Sequence, residues 1–220
     1  MQTFDTPAPI TAVLNIPAGR VQVIAADRAD TTVEVRPADA SKGRDVKVAE
    51  QTRVEHADGV LRIEVTSKNQ FLGPSGSIEV TVQLPAGSTV EAKAPGAELR
   101  AVGRLGDVAF EGAHGSIKID EAASARLATA AGDVSVGRLN GPAEISTDKG
   151  DISIAEAVRG TVVLRTQAGE ITVGAAAGVS ASLDAGTTHG RIHNALKNDG
   201  AAQLDVHATT AHGDIVARSL

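Results

Sequence analysis

The sequence contains no cysteine, tryptophan or tyrosine, and it has only three phenylalanines in 220 residues. The lack of cysteine excludes disulfide bonds and thiolate metal sites. The scarcity of aromatic rings removes the stacking platforms on which single-stranded nucleic acids bind. The core must therefore consist of Val, Ile, Leu and Ala, which suit narrow stacked layers better than one thick globular core.

Charge and hydropathy exclude two further classes of protein. The net charge is −6, from 21 basic and 27 acidic residues, and the basic residues form no cluster. Nucleic acid is therefore not an expected partner, because phosphate neutralisation requires a basic surface. There is no apolar run of about 18 residues that could span a membrane. The first residues lack the basic start and apolar run of a signal peptide, so the sequence predicts a cytoplasmic protein.

Glycine is abundant, with 23 residues, and many of the glycines recur at regular intervals. From Gly96 onward, a glycine and a polar residue precede two mostly β-branched residues that are separated by one position. Successive glycines of this motif lie 19, 17, 18, 19, 21 and 23 positions apart. The copies after Gly96 are Gly115–Ile119, Gly132–Val136, Gly150–Ile154, Gly169–Val173, Gly190–Asn194 and Gly213–Ala217. A near-constant period of this length is typical of a solenoid.

A second strand-like segment precedes each glycine, and both segments alternate apolar and polar residues as half-buried strands do. Each coil therefore offers two strands, and stacking the coils in parallel closes an aliphatic core between two sheets. One inward column is predicted to contain Leu127, Ile145, Leu164, Leu183 and Leu204. The other is predicted to contain Ile117, Val134, Ile152, Ile171, Ile192 and Ile215.

Residues 1–95 are also strand-like but lack the glycine spacing. Ala57, Asp58 and Gly59 lie between two alternating segments and predict a hairpin turn. The predicted fold is all-β: a single-stranded parallel β-solenoid of two-sheet coils, each of about 18–20 residues, with an N-terminal antiparallel β region. Residues 1–95 would form the antiparallel capping region and 96–220 the solenoid repeats, continuous with it as one structural unit.

Three segments resemble the bacterial putative-adhesin family, a domain-of-unknown-function group of β-strand-repeat proteins. They are the opening strand Ala18–Val23, the strand with a Pro-Xaa-Gly junction at Ile78–Gly87, and the Thr-Xaa-Xaa-Gly-Asp-Ile runs such as Thr147–Ile152. The resemblance covers nearly the whole chain. It implies a β-strand-repeat fold and a role in surface adhesion, and it leaves export possible despite the missing signal peptide.

Histidines and acidic residues near the repeat glycines give the candidate metal site. His189 and His212 each precede a repeat glycine, and Asp214 follows one. With His193 and His207 they could ligate zinc or copper, as imidazole and carboxylate groups do. The alternative, which we favour, is that these histidines are solvent-exposed turn residues. No other cofactor is expected.

For two further columns of side chains we favour a structural role in the turns. One acidic column follows the repeat glycines and could bind a divalent cation, although Asp is also a common turn residue. It contains Asp133, Asp151, Glu170, Arg191 and Asp214. A threonine column is expected to bond turn backbone. It contains Thr129, Thr147, Thr166, Thr187 and Thr210.

A polysaccharide-cleaving β-helix could use Asp184 and Asp205 as paired carboxylates. The chain carries no nucleophile elbow, phosphate loop or dinucleotide fingerprint, and we predict that it is not an enzyme. The predicted function is a non-catalytic, adhesin-like interaction or scaffold protein that acts by protein–protein contact. A metal- or glycan-binding module is the main alternative. The strand in Gly213–Leu220 is expected to form an uncovered C-terminal edge through which the chain self-associates or binds an unknown protein.

Overall fold

The computed structural model describes residues 1–65 and 76–220, which consist almost entirely of β-strands. Within these ranges there is one α-helix, α1 (Gly43–Gln51), and no helix is long and apolar enough to cross a membrane. The chain divides into two compact units, Met1–Gly115 and Ser116–Leu220. The boundary expected at residues 95 and 96 stays a prediction.

The first unit is built from strands that pair mainly in parallel. Its strands are β1 (Gln2–Asp5), β2 (Thr11–Asn15), β3 (Ala18–Ala26), β4 (Asp30–Pro37), β5 (Thr52–Ala57), β6 (Val60–Val65), β7 (Ile78–Pro85), β8 (Thr89–Ala94) and β9 (Gly96–Gly112). The β2–β3 coil lies between the β6–β7 and β8–β9 coils, because β2 pairs in parallel with β6 and β8 while β3 pairs in parallel with β7 and β9. The parallel ladder therefore includes residues well before Gly96.

Antiparallel strands cover the β6–β7 coil, and they confirm the predicted N-terminal antiparallel region. β5 pairs antiparallel with β6, β4 pairs antiparallel with β7, and β1 pairs antiparallel with β4. The predicted hairpin turn joins β5 to β6, where Asp58 and Gly59 have φ values of 52° and 73°. Two successive positive φ values match the right-handed twist of the flanking strands, which explains the Asp-Gly sequence.

The second unit confirms the predicted parallel coils. Its strands are β10 (Ile117–Ala131), β11 (Val134–Leu139), β12 (Ala143–Lys149), β13 (Ile152–Ala157), β14 (Gly160–Ala168), β15 (Ile171–Ala175), β16 (Ala181–His189), β17 (Ile192–Ala195), β18 (Leu204–His212) and β19 (Ile215–Ser219). Leu127, Ile145 and Leu164 are register partners in successive coils, as predicted. Their side chains are at most 1% exposed, so they form a continuous aliphatic core.

The last two coils of the second unit are stacked out of chain order, which the sequence analysis did not predict. β18 pairs with both β14 and β16, and β19 pairs with both β15 and β17. The coil at 204–219 therefore lies between the coil at 160–175 and the coil at 181–195. The isoleucine column accordingly runs from Ile171 to Ile215 and then to Ile192.

The prediction for the leucine column is wrong at its last two members. Leu164 is in register with Ala208, whereas Leu204 is in register with Gly160 and Ala181. Leu183 is in register with Val206. A shift of two residues keeps a side chain on the same face, so the alternation of apolar residues does not determine which residues are opposite each other.

Candidate protein-interaction edge

Glycine is required at several repeat turns because a neighbouring coil passes directly beside it. Gly150 has a φ of 147°, and a Cβ atom added there would lie 2.3 Å from the carbonyl oxygen of Gly132. Gly213 has a φ of 148°, and its added Cβ would lie 2.0 Å from the carbonyl oxygen of Gly169. Side chains other than hydrogen are excluded by both the backbone conformation and the contact.

The threonine column ties adjacent coils together at these turns. Thr147, Thr166 and Thr210 donate their hydroxyl hydrogens to the carbonyl oxygens of repeat glycines over 3.3, 3.1 and 3.0 Å. Thr187 makes the same bond to Gly213 over 3.0 Å. The Thr129 hydroxyl is buried and, within the described residues, has no hydrogen-bond partner. The hydroxyls that do bond set the register that the apolar alternation leaves open.

The acidic column makes a second set of bonds between coils. Asp133 accepts a hydrogen bond from the Asp151 backbone N–H at 2.9 Å, and Asp151 accepts one from the Glu170 N–H at 2.7 Å. Asp214 accepts the Arg191 N–H at 2.8 Å and pairs with the Arg191 guanidinium at 3.1 Å. The backbone N–H of Arg191, followed by its side chain, lowers the pKa of Asp214 below its ordinary value. These carboxylates thus act as acceptors for the turn backbone.

Two of the three candidate metal ligands lie together. The His189 and His212 rings are stacked, with centroids 4.8 Å apart and planes inclined by 26°. The third candidate, Asp214, is instead engaged by Arg191. In residues 1–65 and 76–220 no group of three or more His, Asp or Glu side chains is arranged to hold a metal ion. The metal site stays a prediction.

The proposed pairing of Asp184 with Asp205 does not match the ladder. Asp184 lies opposite His207, and its carboxylate is 3.4 Å from the His207 Nδ1 atom. Asp205 lies opposite Ser182 and accepts its hydroxyl hydrogen bond at 2.6 Å. The two carboxylates are therefore offset by two ladder positions, because the apolar register that placed them side by side was shifted.

The open strand edge of the second unit is formed by β16 and β17, a feature that sequence reasoning missed. Among the described residues, β16 pairs only with β18 and β17 pairs only with β19. The expected C-terminal edge is corrected, because β19 has a partner strand on each side. The irregular spacing of 21 and 23 residues in the last two repeats was the available signal that the coil order changes.

Alternate residues of this edge direct their backbone groups away from the ladder. The Arg191 carbonyl accepts a hydrogen bond from the Ile215 N–H at 2.9 Å, so residue 191 faces β19 and residue 192 faces outward. On β16, the Ser180 carbonyl accepts from the Leu204 N–H at 3.3 Å, so the outward positions are Ala181, Leu183 and Ala185. The Ala181 N–H donates to the Lys197 carbonyl at 2.9 Å, so the open part of the edge begins at Leu183. Edges with outward N–H and C=O groups are templates for a further strand.

The core also ends at this edge. Ile192 is 46% exposed, whereas its register partner Ile215 is 1% exposed. Leu183 and Ala185, which point to the same side of β16, are half-buried. The edge therefore combines free backbone groups with an aliphatic surface.

A parallel two-strand coil that repeats over nearly the whole chain, with glycine turns, agrees with the family whose model matches residues 13–219. The chain belongs to the Toastrack DUF4097 family. This confirms the resemblance to a domain-of-unknown-function, putative-adhesin group. No curated protein matches the Toastrack chain.

Solved structures with low sequence identity resemble this Toastrack chain over nearly its full length. A putative cell adhesion protein from Clostridium sporogenes ATCC 15579 is 13% identical, with a TM-score of 0.42, and the match covers 100% of this chain and 98% of that one. A putative adhesin from Bacteroides fragilis NCTC 9343 is 10% identical, with a TM-score of 0.45 and coverages of 98% and 95%. A putative lipid binding protein from Parabacteroides distasonis ATCC 8503 is 13% identical, with a TM-score of 0.47 and the same coverages. At these identities and TM-scores, the three structures do not identify a binding site or a partner for the Toastrack chain.

A surface groove of about 590 Å³ follows the second turn of several coils in the second unit of the Toastrack chain. Its lining includes the apolar side chains of Pro142, Val158 and Val179. The Arg159 guanidinium at its side donates to the Asn140 carbonyl oxygen at 3.2 Å. Its one charged group is thus already bonded to the protein backbone.

Proposed function

We propose that this chain is a non-enzymatic β scaffold that binds another protein chain by strand addition at the open edge formed by β16 and β17. The observation that carries the proposal is that, in the part of the chain that the structure describes, both strands of the same coil have a ladder neighbour on one side only. Strand addition satisfies outward backbone groups with main-chain hydrogen bonds, and the alternate side chains provide specificity.

The polar columns that recur along the coils support a structural rather than a catalytic use of the turns. Asp133 and Asp151 accept backbone N–H groups, and Thr166 donates to a backbone carbonyl. Groups committed to turn backbone keep the coils in register. The turns thereby provide the rigid support that a preorganised binding edge needs.

Strands β16 and β17 lack the residue types that commonly block an added strand. β16 and β17 contain no proline and no lysine, which are residues that natural proteins use to protect exposed edges. The side chain of Asp184 is the one acidic group on these two strands. The Ala181 N–H is bonded to the Lys197 carbonyl, so the part of β16 available for backbone pairing runs from Leu183 onward.

Cross-linking followed by titration tests the proposal. A photoreactive residue at position 188 would identify the protein that contacts the edge in cells, and that protein would then be purified and titrated. We expect Ala185→Pro to weaken binding at least tenfold, because it removes an outward N–H without removing a ladder hydrogen bond. The control is Val163→Lys on the outward face of β14, which has a strand on both sides.

Hydrogen exchange supplies the decisive readout for the same pair of proteins. Amides of β16 and β17 should become protected when the purified partner is added, while those of β12 and β13 should not change. Equal affinities for the Ala185→Pro and wild-type proteins, or protection that spares β16 and β17, would contradict strand addition at this edge.

A further inference from the structure

We infer that the protein bound at the open edge is a second copy of this chain, docked about a two-fold axis so that β16 and β17 each gain an antiparallel partner. This inference rests on the proposed function, because it names the occupant of the same edge. An isologous contact of this kind brings each strand against its own copy in the opposite direction. Antiparallel pairing is slightly more stable per residue than parallel pairing.

The geometry of the end coil selects a partner with two edges. β16 and β17 belong to one coil and are joined by only Gly190 and Arg191, so their open edges lie on two strands of the same coil. A single extended peptide can add to one of these strands and leaves the other uncovered. A partner that covers both must present two strand edges with the same separation and an aliphatic surface between them. The end coil of a second copy has all of these features.

The apolar side chains of the end coil are suited to contact with themselves. Ile192 is 46% exposed here, while Ile171 and Ile215 at the equivalent positions of inner coils are at most 1% exposed. Leu183 and Ala185 are half-buried on the neighbouring strand. A second copy would cover these side chains with the same aliphatic residues and continue the core across the contact.

Charge does not oppose the pairing of two such ends. The end coil and the connection after it carry two acidic and two basic side chains, all of them exposed: Asp184, Arg191, Lys197 and Asp199. The formal charges cancel, so the end coil has no net charge that would repel a second copy. One of the basic groups, Arg191, is paired with Asp214 in its own chain.

In the first unit, strands of the same chain cover a comparable edge. There β5 and β4 pair antiparallel with the two strands of the β6–β7 coil. A two-fold contact would give β16 and β17 the same type of antiparallel cover. The difference is that a second chain supplies it.

Sedimentation and light scattering over a range of concentrations test the inference with the full chain. The wild-type protein should show a concentration-dependent dimer. Ile192→Lys should raise the dissociation constant at least tenfold, because a lysine on the end of the core is solvated in the monomer and buried in the dimer. Val163→Lys adds the same charge on a sheet face and should leave the dimer unchanged. Thermal unfolding would confirm that both variants are folded.

The outcomes separate this inference from the proposed function. A wild-type chain that stays monomeric at every concentration, but whose β16 and β17 amides become protected by a different purified protein, overturns the dimer and leaves the proposed function intact. A dimer that persists in both Ile192→Lys and Ala185→Pro overturns the dimer at this edge. If β16 and β17 amides are also unprotected by any cross-linked protein, the proposed function fails as well.

Discussion

The two units each contain a coil with one parallel neighbour, and they treat that coil differently. In the first unit the β6–β7 coil is covered by antiparallel strands, and Leu61, Ile63 and Ile78 are fully buried. In the second unit the β16–β17 coil has no such cover among the described residues, and Ile192 is 46% exposed. The same type of coil is therefore covered in one unit and open in the other, depending on whether the chain supplies further strands.

The largest expected effect comes from comparing one core truncation in each coil. Ile63→Ala in the covered coil should lower the free energy of unfolding by about 2–5 kcal/mol, because it leaves a cavity in a fully buried site. Leu183→Ala in the open coil should cost about 1 kcal/mol, because its side chain is only half-buried and solvent can fill the space. Urea unfolding measures both. Equal losses would show that the two coils are covered to the same extent in solution.

The second-largest expected effect comes from removing the hydrogen bond that attaches helix α1 to the covered coil. Asp45 in α1 is 4% exposed, and its carboxylate accepts the Ser77 backbone N–H at 3.0 Å just before β7 begins. Asp45→Ala should cost about 1–3 kcal/mol, because the N–H loses its acceptor. Asp45→Asn keeps an acceptor oxygen and should recover part of this loss. Faster hydrogen exchange at the start of β7 in the alanine variant alone would locate the effect.

The threonine hydroxyls allow the same hydrogen bond to be tested in two environments. Thr210 and Thr187 each donate to a glycine carbonyl at 3.0 Å, but Thr210 is 5% exposed and Thr187 is half-buried at the open edge. Thr210→Val should cost about 1 kcal/mol and Thr187→Val less, because water can replace the bond only at the edge. Thr129→Val is the control and should be neutral or stabilising, since its hydroxyl has no partner among the described residues. A larger loss for Thr187→Val would argue against an open edge.

The smallest expected effect is the loss of folding stability at acid pH that comes from one carboxylate in each unit. Hydrogen bonds from Ser41 lower the pKa of Asp39 to about 2, and the Arg191 backbone N–H and side chain lower the pKa of Asp214. Because both folded-state values lie below the ordinary value of 3.8, these carboxylates stabilise the fold fully above about pH 4. That contribution is lost as the pH falls through the lowered values.

Carboxyl chemical shifts followed by NMR would measure these two titrations. Arg191→Gln should return the Asp214 pKa only part of the way, because the backbone N–H that is the larger cause remains. The Asp39 titration should be unchanged by this substitution. A complete return of the Asp214 pKa would show that the guanidinium rather than the backbone holds it down.

Much of the second unit could be predicted from the sequence, because each repeat turn leaves a local signature. A glycine is required at residues such as Gly150 and Gly213, and the threonine three positions earlier bonds a neighbouring turn. The alternation of apolar residues correctly identified the inward faces of the strands. These signals extend over only a few residues, so they can be recognised in a single sequence.

The stacking order could not be read in the same way. Parallel strands with similar side chains can pair with more than one neighbour, and the neighbour that is used appears only in three-dimensional contacts such as that of Thr187 with Gly213 rather than with Gly169. The parallel pairing of β2 and β3 with later coils was missed for the same reason, since residues 11–26 lack the repeat glycine spacing. The position of the open edge depends on the order of the coils. The edge was expected at Gly213–Leu220 and lies at β16 and β17.

The enclosed position of β18 and β19 has a consequence for synthesis of the protein on the ribosome. Translation delivers β14, then β16, then β18, whereas the ladder places β18 between the other two. The segment 181–195 therefore cannot reach its final neighbours until residues 204–219 have left the ribosome. A chain truncated before residue 204 would lack an inner coil rather than the end coil. In the full chain, the last folding step must follow the emergence of residues 204–219.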